Sequence, residues 1–241
     1  RPLQSDMDNM LSFLQEKYNY NPGSYQGYSL DTPAYKFLAR IDWNINENNK
    51  LNFRFSKSHD KTNSEPANST TPFKDYLIYP GGISDGVTIS GGKNYAGRTA
   101  NPGLYFESAR YETEMNFTSV AAEWNSKWGS VSNVLRGTYS FQDEPRSYVG
   151  GAFPTVDILK DGAYYMGLGP DPFTVGNLRQ VKTYVVTDEA SWSLGIQNFT
   201  AGLQYESNEA TNGFGQACAG YYVYSSPEAF MAGGAPSAYG I

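Results

Sequence analysis

The stretch from Tyr35 to Lys57, YKFLARIDWNINENNKLNFRFSK, decides the fold. Tyr35, Phe37, Ala39, Ile41, Trp43 and Ile45 are apolar; Lys36, Arg40, Asp42 and Asn44 between them are polar, with Leu38 the exception. A period of two marks a β-strand with one apolar and one wet face. Asn46-Glu47-Asn48-Asn49 is a cluster of turn formers that tolerate left-handed backbone. The alternation then restarts, with Leu51, Phe53 and Phe55 apolar and Asn52, Arg54 and Ser56 polar. The stretch predicts a long β-hairpin. Each strand runs for roughly nine residues or more, above the globular mode of about five or six. About nine to eleven tilted residues is what a transmembrane β-strand needs. The charges of the polar row exclude a core on that side, because an unpaired buried charge is very costly.

The same pattern returns twice. Val120, Ala122 and Trp124 precede the connection Ser126–Ser130, and Val131, Leu135, Gly137, Tyr139 and Phe141 follow it. Met115 and Phe117 are apolar out of phase with Val120, which predicts a bulge between them. The third hairpin places Tyr184, Val186, Ala190 and Trp192 before a turn at 194–198 and Phe199, Ala201, Leu203 and Tyr205 after it, with Asp188 interrupting the row. The hairpins therefore span 35–57, 113–142 and 180–206. Long connections, at 58–112 and 143–179, are rich in Gly, Pro, Ser and Asn. Short turns at one end and long loops at the other are the asymmetry of an outer-membrane barrel. The apolar row would face lipid, with Tyr35, Trp43, Trp124, Tyr139, Trp192 and Tyr205 as interfacial aromatics. Lys36, Arg40, Asp42, Arg54 and Arg136 would face a wet lumen.

Before the first hairpin, residues 1–34 form an external segment with one helix. Ser5 is its expected cap, Leu3, Met7, Met10, Leu11, Leu14 and Tyr18 recur at helical spacing, and Asn21-Pro22-Gly23 ends it. After the last hairpin, 207–241 holds a loop, a short strand at 221–224, a brief helix opened by Ser226-Pro227-Glu228, and the start of another strand.

Composition agrees with a β-rich chain: 15% of 241 residues are aromatic and mean hydropathy is -0.53. No apolar run is long enough for a transmembrane helix, while a barrel strand needs only alternate apolar residues. A net charge of -6 argues against a nucleic-acid partner. Nothing at Arg1-Pro2-Leu3 resembles a signal peptide, and Ala238-Tyr239-Gly240-Ile241 reads as a strand just begun, so an internal piece of a longer protein is expected.

Catalytic chemistry is not expected. His59 is the sole histidine and Cys218 the sole cysteine, far apart in sequence. Gly91-Gly92-Lys93 lacks phosphate-loop spacing, and Asp157, Asp161 and Asp171 lack the spacing of an EF-hand. No cofactor or metal is expected. The external segments are instead rich in aromatics. Tyr76, Tyr79, Tyr105, Tyr148, Tyr164 and Tyr165 are the candidates for gripping a glycan or peptide, because tyrosine offers a stiff apolar face with a polar tip.

KFLARIDWNINENNKLNFRFS resembles the barrel hairpin of Bacteroidetes TonB-dependent transporters, the Oar-like group with a carboxypeptidase-regulatory-like N-terminal domain. GNLRQVKTYVVTDEASWSLGIQNFTAGLQYE and GYYVYSSPEAFMAG are similar to the next part of the same barrels. The resemblance implies a barrel of typically about 22 strands with an internal plug, uptake powered through TonB, and room for a surface lipoprotein partner; neither plug nor TonB-contacting box is in this sequence. The expectation is therefore an all-β, antiparallel up-and-down transmembrane barrel segment of about six to eight strands, contacting outer-membrane lipid and importing an unidentified nutrient. A soluble secreted carbohydrate- or ligand-binding β-module and a small outer-membrane barrel, adhesin or passive pore, are the rival expectations.

Overall fold

The computed structural model of the chain describes residues 1–67 and 103–240. Six long strands form one antiparallel meander: β1 (Ala34–Asn46), β2 (Asn49–Ser64), β4 (Tyr111–Trp128), β5 (Val131–Ser147), β8 (Leu178–Leu194) and β9 (Gln197–Gly213), in the order β1-β2-β4-β5-β8-β9. The three hairpins of the sequence are there, but their strands run well past the expected limits. β2, for example, runs to Ser64 rather than Lys57, and β9 to Gly213 rather than Glu206. The extensions escaped notice because both faces are polar there. Lys61 pairs with Glu112 at 2.6 Å and Arg179 with Glu144 at 3.0 Å.

The turns are tighter than expected. Gly129-Ser130 and Gly195-Ile196 are two-residue loops whose glycines have φ of 62°. Positive φ at the first position alone is the type II′ geometry that suits strand twist. The first turn uses no left-handed residue. Instead the Asn46 side chain accepts from the Asn48 amide at 2.9 Å and from Asn49 Nδ2 at 3.0 Å.

The expected bulge at Met115–Val120 is absent. β2 and β4 pair without a shift from Asn49↔Ser126 to Ser64↔Tyr111. Met115 and Phe117 therefore lie on the polar row, alternating with Asn116 and Thr118 on the other face.

The register gives the strand tilt. Tyr35 lies opposite His59, and the row continues through Asn116, Asp143 and Gln180 to Thr211. The outermost aromatic of the apolar row in β9 is Tyr205, six residues nearer the turn than Thr211. Six residues span ~20 Å and five strand spacings ~24 Å. The aromatic line thus crosses the sheet at ~40°, within the ~35–45° tilt of membrane barrels. All four tryptophans (Trp43, Trp124, Trp128 and Trp192) sit on the apolar face toward the short turns, and Tyr35, Tyr139, Tyr184 and Tyr205 border its far side. Tyr184 and Trp192, eight residues apart in β8, are separated by ~20 Å along the membrane normal at that tilt, close to the ~25 Å apolar band of such barrels. Beyond the tyrosines the strands continue into water.

The remaining strands build a second sheet at that far end: β3 (Leu104–Tyr105), β6 (Thr155–Lys160), β7 (Ala163–Leu168), β10 (Tyr221–Tyr224) and β11 (Ala238–Gly240), in the order β11-β10-β6-β7-β3. The stretch expected to be a long loop at 143–179 thus contains a hairpin, β6–β7, turned by Asp161 (φ 53°) and Gly162 (φ 75°). Helix α1 (Gln4–Tyr18) has Leu3 rather than Ser5 at its N-cap and Asn19, in the left-handed conformation, at its C-cap. Met7, Met10 and Leu14 on its inner face are fully buried against Phe106, Ile158, Met166 and Leu168. Helix α2 (Pro227–Met231) begins as expected, with Ser226 Oγ accepting from the Ala229 amide at 3.1 Å. Gly169 closes the hairpin against the 154–155 backbone. Its φ is 77°, and a Cβ there would lie 1.9 Å from the Pro154 carbonyl oxygen.

The long sheet has no such core. Ile41, Trp43, Tyr205 and Leu203 are more than half exposed, and no second layer covers their row among the described residues. Among the described residues Asp188 is the charge deepest in the apolar band, flanked by Leu135 and Leu203 on neighbouring strands and bonded by Asn133 Nδ2 at 2.6 Å.

Arginine at Ile41 or Phe53 should lower barrel stability by about 2–4 kcal/mol in lipid vesicles, measured by reversible urea unfolding. Arginine at Leu203 should cost less than at Ile41, because Asp188 directly opposite supplies a counter-charge. Glutamine at Arg54 on the polar face should cost under about 1 kcal/mol. Separately, Leu14→Ala should destabilise the outer sheet by about 2–5 kcal/mol, seen as proteolysis of that region while the barrel keeps its heat-modifiable mobility on gels.

Candidate functional site

Two concave regions arise where the long strands present charge. The first is on the polar face of the meander. Arg40 lies directly opposite Arg54, and Glu123 opposite Arg136. Arg40 pairs with Asp42 on its own strand at 2.7 Å. Glu123 accepts from Arg136 Nε at 2.8 Å and from Asn52 Nδ2 at 3.1 Å. Arg54 carries no ion pair among the described residues. The six residues Arg40, Asn52, Arg54, Ala121, Glu123 and Arg136 bound a cavity of about 270 Å³. Its chemistry is that of a solvated, weakly cationic surface, with the Arg54 fork able to take a carboxylate or phosphate. All five residues expected on one wet row, Lys36, Arg40, Asp42, Arg54 and Arg136, share this face.

The second lies at the junction of the long strands with the outer sheet. It is a cavity of about 330 Å³ whose lining includes Asp31, Lys61, Asn63, Arg110, Glu112 and Tyr148. Arg110 is its anchor. Its Nε donates to Tyr28 Oη at 2.8 Å, and Nη2 reaches Tyr105 Oη at 3.0 Å and Glu65 Oε1 at 2.6 Å. The guanidinium also lies 5.2 Å from the Tyr28 ring centroid and 5.4 Å from that of Tyr105. Burial, with the hydrogen bond to Glu65, pushes the Tyr105 phenol far up, so it stays a neutral donor. This cluster ties the end of β2 to the start of β4.

Of the candidate tyrosines, Tyr76 and Tyr79 lie outside the described residues. Tyr105 and Tyr148 are at the junction. Tyr164 and Tyr165 are not open to a ligand: the Asp161-Gly162 turn folds both rings inward, and they are buried. Tyr165 Oη donates to Asp6 Oδ2 at 2.5 Å and accepts from the Leu3 amide at 3.1 Å, locking α1 onto the sheet. The three loop aspartates serve separate structural ends. Asp157 accepts from Tyr221 Oη at 2.6 Å, Asp161 makes the hairpin turn, and Asp171 caps the Phe173 amide at 2.9 Å. His59 contacts Asn116 at 2.7 Å and stacks on Tyr35 at the strand exit.

The sequence reading missed Arg110, Glu65 and Tyr28, which are distant in sequence and meet only through the strand extensions. It also passed over a third hollow, on the outer sheet, lined by Tyr18, Phe153, Pro154, Val156, Tyr222, Tyr224 and Phe230.

The uncovered apolar row, the tilt and the one-sided loops are a membrane barrel's features, and comparison with protein families agrees. The family described as "Outer membrane beta barrel domain" matches residues 4–238. The chain belongs to that family. No curated protein sequence matches it. As an outer membrane beta barrel domain it resides in the outer membrane of a Gram-negative bacterium, with lipid against the apolar row. A soluble secreted module is set aside on the same grounds. The described sheet is open: β1 and β9 are its two edges.

Replacing Arg110 by alanine should loosen the junction without unfolding the sheet. Hydrogen exchange of the amides at 104–112 should speed up at least tenfold, and Arg110→Lys should recover only part of the protection, because lysine lacks the planar fork.

Proposed function

We propose that this chain is wall and mouth of a TonB-dependent outer-membrane transporter that binds a nutrient outside the cell and imports it. The observation that carries the reading is the polar face. Across six consecutive strands it stays charged and solvated, with Arg40 and Arg136 side chains more than half exposed. Small eight-stranded barrels fill their interiors with packed side chains, whereas wide ones keep an aqueous or plugged lumen. Six strands with two free edges and an open, arginine-rich inner face fit the wide kind. The outer sheet, anchored through Arg110 and α1, provides a folded vestibule over the mouth. Coupling to TonB, and the Oar-like assignment, rest on the sequence resemblance. No catalytic role is proposed.

A small barrel acting as adhesin or passive pore is the second reading, and the family membership suits it equally. The two readings separate on energy and size. Native outer membranes should yield a denatured chain several times heavier than 26.6 kDa, with peptides on both sides of residues 1–241. Uptake of its nutrient should stop when an uncoupler collapses the proton gradient. Permeation that is insensitive to the uncoupler, through a chain near 26.6 kDa, would make it a passive pore.

A further inference from the structure

The third hollow has a chemistry distinct from the two charged ones. It holds about 280 Å³, at the lower edge of the roughly 300–1,000 Å³ of small-molecule sites, and so has room for one ring. No charged side chain lines it. Five aromatic rings do, and most are fixed by neighbours. Phe153 stacks on the buried Tyr20 with centroids 4.0 Å apart and planes 11° apart, leaving its other face free of that partner. Phe230 is wedged edge-on between Phe13 at 5.8 Å and Tyr224 at 5.0 Å. Tyr222 is braced by Tyr239, stacked at 6.2 Å. Rings already held in place lose little freedom when a ligand arrives.

The polar side-chain atoms of the lining residues are phenols. Burial pushes the Tyr224 phenol up, and the nearby phenols of Tyr18 and Tyr222 push it further. The Tyr224 hydroxyl therefore remains neutral, and the three hydroxyls offer donors and acceptors beside the ring faces. A carboxylate or phosphate finds no cation here, and an ammonium finds no carboxylate. A neutral ring with an apolar C–H face and a rim of hydroxyls matches both features. We propose that this cleft is a saccharide site, taking one neutral pyranose unit of a glycan.

The site gives the importer reading a substrate class and rests on it only for its use; binding itself does not require transport. The test is saturation-transfer NMR on the detergent-solubilised full-length protein with maltotriose, cellotriose, mannotriose, xylotriose and galactotriose, and triproline as the peptide control. At least one trisaccharide should show transfer concentrated on a single sugar unit. Tyr222→Ala and Phe153→Ala should each raise its Kd at least tenfold, and Tyr18→Phe, which keeps the ring and removes the hydroxyl, several-fold. Protease resistance of the outer sheet reports its folding in each variant; should the alanine variants lose it, Tyr18→Phe decides alone, since Tyr18 lies at the surface. Transfer from none of the five, transfer only from triproline, or an unchanged Kd in a folded Tyr18→Phe variant overturns the site. Failure here with uncoupler-sensitive uptake intact would remove the cleft and leave the importer. Sugar binding with no energised uptake would remove the importer and leave the cleft.

Discussion

The structure depends on one hydrogen-bonded register, from Ala34↔Asp60 at one edge to Leu178↔Gly213 at the other, shifted only between Asn44 and Asn46 beside the first turn. In hydrocarbon no water can satisfy a backbone amide, so the ladder is obligatory. Because side chains alternate, the register also sorts the sheet's two faces. A one-residue slip of β2 would turn Lys50, Asn52 and Arg54 to lipid and Leu51, Phe53 and Phe55 to water. Each arginine so exposed near the midplane costs about 2–4 kcal/mol, which is a large share of a typical folding free energy. The tight Gly129-Ser130 and Gly195-Ile196 turns and the Asn46 side-chain bonds fix that register at the short end.

The same alternation marks where the membrane stops. Within the band, rows such as Ile41, Phe53, Ala122 and Gly137 are apolar on one face only. Past the tyrosines the lipid-side row becomes His59, Asn116, Asp143 and Lys182. There the strands lose their lipid contact, and stability comes from ion pairs and from the outer sheet. Lys61–Glu112 and Arg179–Glu144 are partly exposed pairs, each worth at most about 1 kcal/mol. The buried methionines of α1 contribute more, since each fully buried apolar side chain is worth about 1.5–3 kcal/mol. The protein thus has two independent sources of stability, lipid around the strands and a packed core above them.

The parts of this that the sequence made legible follow from periodicity. The hairpin of 35–57 alternates almost without fault, and the inner row of α1, with Met7, Met10 and Leu14, repeats at helical spacing. Periodicity fails where both faces meet water, so the outer ends of β2, β5 and β9, past Lys57, Gln142 and Glu206, read as loop. It misled at Met115 and Phe117, whose apolar side chains occupy the polar row and mimic a phase change. The β6–β7 hairpin was missed although Asp161-Gly162 is among the strongest short hairpin signals. Its flanking strands, buried on both faces at Val156–Leu159 and Tyr164–Leu168, show no alternation to attract notice. For the sites, the wet row followed from alternation alone. The Arg110 cluster did not, because Tyr28, Glu65, Tyr105 and Arg110 converge only once the long strands and the outer sheet are folded together.

Asp188 shows how far the alternation rule can bend. An aspartate in the apolar band would ordinarily mark a faulty register, yet both its neighbouring strand pairs are unshifted. Asn133 donates to it at 2.6 Å and also to the Glu189 carbonyl at 3.1 Å, so the amide bridges the carboxyl and the backbone beside it. Asn133 itself is 9% exposed, on the same row as Trp124 and Trp128, whose rings pack edge to face at 6.1 Å on the neighbouring strand. The polar pair is thereby partly drawn out of lipid, and acidic residues cost less than basic ones on a barrel's outer face. One locally satisfied carboxyl is tolerable because the ladder, not the side-chain row, holds the strand in place. Arg54, turned outward by a slip of β2 together with Lys50 and Asn52, would have no such partner, which is why the register admits the exception at Asp188 and not a slip.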